Sequence, residues 1–350
     1  MPNYRNKIKR GKQPRYALRF AVLAAILFLA LLASVLLGRY SISLRELWLL
    51  LFRRAEFAAE DVAREEAAYH VFFLIRLPRL AAAALVGAAL SVAGVAYQGM
   101  FRNPMVSPDI LGASTGAGFG AAIAILLGAG YFAISASAFC FGLLAVLVAY
   151  LVSRFSRRAT PTLAMVLAGM VVSSLFQAGT SFIKLVADTQ SQLPAITYWL
   201  MGSLSSIKVG DVRFLVIPVV IGFVPLLLLR WRMILLTAGE EEAKSMGVNT
   251  DALRLIVVIC ATLLTASSVA VSGMIGWVGL VIPHFCRMIF GYDYRRLIPA
   301  AAMFGAAYLV IVDSIARLIT TQDLPLGILT AFVGAPLFLY LLLTGGASRD

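Results

Sequence analysis

QGMFRNPMVSPDILGASTGAGFG, residues 98–120, breaks an otherwise oily chain with Asn103-Pro104, then Ser107-Pro108-Asp109, then a run of glycines. Pro104 and Pro108 remove backbone donors and disfavour helix at Asn103 and Ser107, so a helix entering this stretch must stop there. Hydrocarbon offers no water to replace the lost hydrogen bonds, and a break is tolerated only where it is buried in protein or lines a wet cavity. The residues supplied suit that setting, because Asn103, Ser107, Asp109 and Ser114 can bond locally. Gly112, Gly116 and Gly120 then let the next helix pack tightly on a neighbour. A broken, polar, glycine-lined element in a chain that crosses a membrane reads as part of a transport path.

The rest of the chain supplies the membrane. Its 350 residues are 61% hydrophobic and 13% charged, with a mean hydropathy of +0.90, which excludes a water-soluble domain. Apolar segments near the ~20-residue spanning length fall at 17–38, 77–101, 107–128, 131–152, 161–184, 212–230, 253–273, 277–291, 297–319 and 326–343. They are too long and continuous for barrel strands, so the expected fold is an all-α polytopic membrane protein with about ten transmembrane helices. The chain divides into a basic tail over 1–16, one transmembrane domain over 17–344 carrying a polar loop at 231–252, and a short tail over 345–350. The first segment lacks a small-residue cleavage site and has too long a core for a signal peptide, so it reads as an anchor. Cys140, Cys260 and Cys286 lie in apolar segments and read as small buried hydrophobes.

The formal charge of +13 is distributed as a membrane topology signal. Seven Lys and Arg between residues 5 and 19 face no acid, and basic residues recur after the fourth segment (Arg154, Arg157, Arg158), the sixth (Arg230, Arg232, Lys244) and the eighth (Arg287, Arg295, Arg296). By the positive-inside rule both termini are cytoplasmic. No basic groove with interleaved aromatics is present, so no nucleic-acid partner is expected.

The connections add three expectations. Residues 39–75 mix acids with arginines and hold a short surface helix, and 185–211, with Pro194, Tyr198 and Trp199, hold an interfacial one. TAGEEEAKSMGVNTD, from Thr237, reads as a short solvent-facing helix with Thr237 as N-cap and Gly247 as C-cap. Taken alone, it is either a solvated connector or a docking helix. SVAGVAYQGMFRNP and AVSGMIGWVGLVIP echo one another faintly, the kind of internal symmetry from which transporters build a central path.

Several chemistries can be weighed. No Gly-x4-Gly-Lys-Ser/Thr run occurs, so the chain is not expected to be an enzyme that hydrolyses nucleotide, and any ATP and Mg belong to a partner. GASTG at 112–116 matches a nucleophile-elbow pattern with His284 as an imaginable base, but the pattern draws its meaning from a strand-to-helix turn and this one lies among membrane helices. Met100, Met105, Met274 and Met288 read as core filler rather than metal ligands, and no metal or cofactor is expected on this subunit. Asp109, Asp188 and Asp313 each lie near the end of a span, whereas an ion-driven transporter calls for paired intramembrane acids.

IRLPRLAAAALVGAALSVAGVAYQGMFRNPMVSPDILGASTGAG, SGMIGWVGLVIPHFCRMIFGYDYRR and LPLGILTAFVGAPLFLYLLL resemble the membrane subunits of type II ABC importers for iron-siderophores, haem and cobalamin. The resemblance runs from about Leu18 to Thr344, and only 53–66 is longer than the family pattern. It implies a ten-helix permease working as a homodimer in a bacterial or archaeal cytoplasmic membrane, with two ATPase subunits on one side and an extracytoplasmic substrate-binding protein on the other. By the same resemblance, Arg76, Arg79 and Arg317 dock the binding protein, and their residue-level reading alone is snorkelling at helix ends. Glu240, Glu241, Glu242, Ala243 and Gly247 match the helix that couples to the ATPase. Thr160, Thr162 and Leu163 match the cytoplasmic gate. Asn103, Pro104, Ser107, Pro108 and Ser114 are expected to line the path, which should be mostly apolar so that a large chelate leaves as readily as it enters. The expected cargo is an iron-siderophore or haem, ahead of cobalamin. An ion-gradient transporter and an intramembrane serine hydrolase are the rival classes.

Overall fold

The computed structural model describes residues 3–38, 40–155, 160–319 and 324–344, with side chains described from Tyr16 onward apart from those at 238, 240, 341, 342 and 344. Arg157, Arg158, the 345–350 tail and the side chain of Glu240 therefore lie outside the described residues. Every regular element among those described is helical. The chain runs α1 (Asn3–Leu36), α2 (Leu44–Phe52), α3 (Arg54–Glu60), α4 (Val62–Tyr69), a π-helical turn (His70–Arg76), α5 (Leu77–Met100), α6 (Ala113–Leu126), α7 (Tyr131–Phe155) and α8 (Pro161–Val186). It continues through α9 (Gln192–Met201), α10 (Val209–Ala238), α11 (Glu240–Ser245), α12 (Thr250–Ser272), α13 (Val278–Phe290), α14 (Tyr294–Ile319) and α15 (Leu326–Thr344). Among the described residues seven helices are long and apolar enough to cross a membrane, and α6, α13 and the first part of α15 are shorter apolar helices.

Helix α5 is the central post, contacting α10, α12, α13 and α14. Its glycines explain how. A side chain on Gly87 would collide with the backbone of Gly305 on α14, and one on Gly94 with the backbone of Gly279 on α13, so the paired helices meet backbone to backbone. The two halves of the faint sequence echo are therefore in contact, since Gly94 and Gly279 belong to one each. Helix α12 is buried along most of its length although it carries Thr262, Thr265, Ser267, Ser268 and Ser272. Each of these hydroxyls donates to the carbonyl four residues earlier, at 2.6–2.8 Å, which satisfies it within its own helix.

Three expectations are corrected. The segment at 107–128 is not helical at its start, because α6 begins only at Ala113 and residues 101–112 form a non-helical linker. Two prolines and Gly112, which sits at φ +85° as the N-cap of α6, account for the shift. Thr237 is not a cap: it lies inside α10 and its hydroxyl donates to the Ile234 carbonyl, so Gly239 is the N-cap of α11. Cys140 is exposed on α7, while Cys260 and Cys286 are buried as expected.

Residues 39–75 hold more than one surface helix. Ile42, Leu49, Leu50, Phe57, Ala68 and Phe72 form a small core of their own among α2, α3, α4 and the π-helical turn. Ser43 and Glu46 make a capping box on α2, and Asp61 caps α4. Arg45–Glu60 (2.6 Å), Arg64–Glu46 (2.8 Å) and Arg54–Glu65 tie the helices together, with Arg54 4.1 Å over the Tyr69 ring. The hydrogen bond from Arg64 holds the Glu46 carboxyl below its ordinary value of 4.5, more than offsetting the opposing desolvation. A depressed carboxylate contributes stability above its unfolded value and loses it as pH falls through the folded one. Acidification from pH 7 to below 4.5 should therefore loosen this module, read as faster cleavage within 41–69 by an acid-tolerant protease. Glu46→Gln should be cleaved faster already at pH 7 and respond less to acid.

Candidate functional site

Near the end of α1, two arginines share one acid and a third binds backbone carbonyls. Arg79 Nε donates to both carboxylate oxygens of Asp313, at 2.9 and 3.2 Å, and Arg317 Nε stands 3.3 Å from the same group. Arg317 also donates to the hydroxyls of Ser34 (2.6 Å) and Ser314 (3.2 Å). Arg76 donates to the carbonyls of Val35 and Tyr40, which the end of α1 leaves without helical partners. Asp313 is 1% exposed and Arg76 and Arg79 are 5% and 6%. The guanidiniums of the three arginines that the family resemblance singled out are turned into the subunit. Asp313 was missed as the partner of Arg79 and Arg317; its i, i+4 spacing to Arg317 was the available signal.

The broken element sits beside a cavity of about 760 Å³. Backbone atoms freed by the prolines find local partners: Asn103 accepts from the Met105 N–H (2.9 Å), Ser107 from the Asp109 N–H (3.1 Å), and Asp109 from the Ser114 N–H (2.6 Å). Pro108 packs on Gly279, which also touches the Leu90 carbonyl. Leu90 lies near the middle of α5, so the linker climbs back from the end of α5 to its midpoint before α6 starts. Asp109 follows Pro108 directly and so stands beside the middle of α5, four residues before α6 begins. Ser107, Pro108, Asp109 and Ser114 line the cavity; Asn103 and Pro104 do not and are exposed instead.

The opposite wall was not foreseen. Gly202 (φ +75°) accepts the Leu326 N–H at 2.8 Å, Ser203 N–H donates to Ser272, and Gly273 (φ +66°) packs against the Trp199 carbonyl. This knot joins the end of α9, the α12–α13 turn and the start of α15. From it Met201, Met274, Ile275, Trp277, Ile328 and Phe332 reach the cavity. Its lining is mostly apolar, and among the described residues Asp109 is the only charged one. Ser114 faces this space, where His284 is not among the lining residues, and no hydrogen bond joins the two.

At the far end, Thr160 caps α8 by accepting from the Leu163 N–H at 3.4 Å, with Thr160 and Leu163 exposed and Thr162 half-buried. Helix α11 turns out of the bundle there. Gly247 at φ +79° donates to Lys244, and Val248 donates to Ala243 at 3.0 Å, a glycine-ended stop of the expected kind. Ala243 is its buried foot, and Glu241, Glu242 and Met246 are exposed.

Comparison with known proteins accords with this architecture. Residues 26–344 match the FecCD transport family. The chain is 38% identical over 331 residues to the molybdate import system permease protein MolB of Haemophilus influenzae, covering 93% of this chain and 96% of that one. It is 34% identical over 349 residues to the hemin transport system permease protein HmuU of Yersinia pestis, covering 97% and 98%. A solved inward-facing conformation of a metal-chelate type ABC transporter superposes with a TM-score of 0.82 at 37% identity, covering 92% and 97%. A multi-pass, all-helical protein with the broken α5–α6 element at its centre, the chain belongs to the FecCD transport family of ABC transporter permeases.

Proposed function

We propose that the chain is one half of a homodimeric, ATP-driven importer in a bacterial or archaeal cytoplasmic membrane, with α1, α5–α8, α10 and α12–α15 as ten crossings and both termini inside. The observation that carries this reading is the linker of 101–112, whose Ser107, Pro108 and Asp109 line a cavity beside the middle of α5. A substrate-binding protein delivers cargo at the α2–α4 end, near Arg76, Arg79 and Arg317. Because those guanidiniums are engaged internally, they act chiefly by shaping that rim. Two ATPase subunits, which hold ATP and Mg, engage α11 through Glu240, Glu241, Glu242 and Ala243, while Thr160, Thr162 and Leu163 form the cytoplasmic constriction.

The cargo is a metal chelate with an organic shell, iron-siderophore or haem ahead of cobalamin. Relatives carry other loads, molybdate among them. The apolar cavity, with an acid and no cation among its described lining residues, suits a chelate better than an oxyanion. Right-side-out membrane vesicles containing the permease and its ATPase, with the binding protein and cargo added outside, should accumulate ferric siderophore or haem only when ATP is enclosed on the ATPase side. Uptake driven by an ion gradient without ATP, or ATP hydrolysis stimulated by molybdate alone, would contradict the reading. Gly247→Pro cannot adopt the positive φ and removes the N–H given to Lys244, at a local cost of ~3 kcal/mol. It should abolish copurification of the ATPase while the bundle stays folded; normal transport by this variant would reject the role of α11.

A further inference from the structure

Helix α2 carries a face that no other described part of the subunit covers. Leu44, Trp48, Leu51 and Phe52 are 63%, 49%, 47% and 73% exposed. At 3.6 residues per turn they fall in one arc about 100° wide. Leu49 and Leu50 point the other way, into the small core shared with Phe57 and Phe72. An apolar stripe of this kind facing water would be an aggregation liability.

The height of α2 identifies what covers it. The apolar part of α1, Tyr16–Leu36, has 21 residues, which at 1.5 Å each is roughly 31 Å, the thickness of a bilayer's hydrocarbon core. Leu36 therefore ends at the membrane boundary, and Ser43 caps α2 after a connection over residues 37–42. The buried side of α2 shares its small core with Phe72 of the π-helical turn, which runs directly into α5, and this places α2 beside the start of that helix. Leu37, just past the end of α1, and Leu74, Ile75 and Leu77, around the start of α5, are likewise apolar and exposed. Trp48 is the residue type that settles at the headgroup layer, and the Arg53 guanidinium lies 5.8 Å over its ring.

We propose that α2 is a membrane-surface helix, with Leu44, Trp48, Leu51 and Phe52 seated in the headgroup–acyl boundary, so that lipid anchors the whole α2–α4 module. A peptide helix with one apolar and one ion-paired face, held at this depth, has the physical form such anchoring needs. Glu46, on the inward side, keeps its bond to Arg64, so the seat and the internal ion pairs do not compete.

The test uses the full chain in phospholipid nanodiscs. A nitroxide at Phe52→Cys, in a Cys140→Ser background, should collide more with oxygen than with an aqueous nickel chelate, and one at Glu56→Cys should show the reverse. Nickel access dominating at both sites would mean that the stripe faces water, and low access to both reagents at 52 would mean that protein covers it; either result overturns the proposal. Because a label can disturb its site, Trp48 fluorescence, taken as wild type minus Trp48→Phe, supplies a second reading. Lipids brominated near the headgroup should quench it more than lipids brominated near the chain ends, and absence of quenching would also overturn the proposal.

Discussion

Gly279→Val is expected to leave no folded permease. The Cβ it adds meets the Pro108 ring on one side and stands 2.6 Å from the Leu90 carbonyl on the other. Most overpacked cores relax by swinging a side chain, at a cost of ~1–3 kcal/mol. Here the neighbours are a backbone and a rigid ring, so the α5–α13 crossing must open and carry the 101–112 linker with it, and the expected cost is ~4 kcal/mol or more. Gly130→Val is the matched control, since a Cβ there meets nothing within 4 Å. Thermal unfolding of the two purified variants, followed by fluorescence-detected gel filtration, makes the comparison. A monodisperse Gly279→Val with a melting temperature near wild type would show that α5 and α13 do not meet as described.

The second large effect concerns Asp313. Asp313→Ala strands the Arg79 and Arg317 guanidiniums in a buried setting without their shared carboxylate, and breaking such a group typically costs ~3–5 kcal/mol. Removing the cation nearest the lost charge should restore much of that. The pair Asp313→Ala with Arg79→Met is accordingly expected to melt above Asp313→Ala alone, a sign reversal that simple loss of packing would not give. If the double variant is less stable than either single one, the arginines are not held by this carboxylate.

What the sequence made legible follows from which interactions are local. Apolar length and proline chemistry act within a few residues, so the all-helical membrane character and the break at Asn103 and Ser107 were readable in advance. The start of α6 was misplaced because helix-compatible residues at 109–111 gave no sign that Gly112 would take a left-handed turn. Thr237 had the right residue type for a cap, but the long apolar α10 simply continued through it. The arginines were found by family likeness, while their inward turn depended on Asp313 and on the carbonyls of Val35 and Tyr40, which only tertiary structure brings near. The cavity wall built from α9, the 273–277 turn and α15 depends on three backbones meeting at glycines far apart in the chain, and no pattern along the sequence announces that.

The hydroxyls of α12 have one more implication. Since each is spent on its own helix, the surface that α12 offers to α5 and α10 behaves almost as a hydrocarbon rod, and of the five only Thr262 reaches another helix, at the phenol of Tyr97 (3.0 Å). Sliding along such a rod would break few side-chain hydrogen bonds, so what holds α12 in register lies at two points: the Tyr97 phenol along its length, and the Ser203 N–H bond to the Ser272 carbonyl at its end.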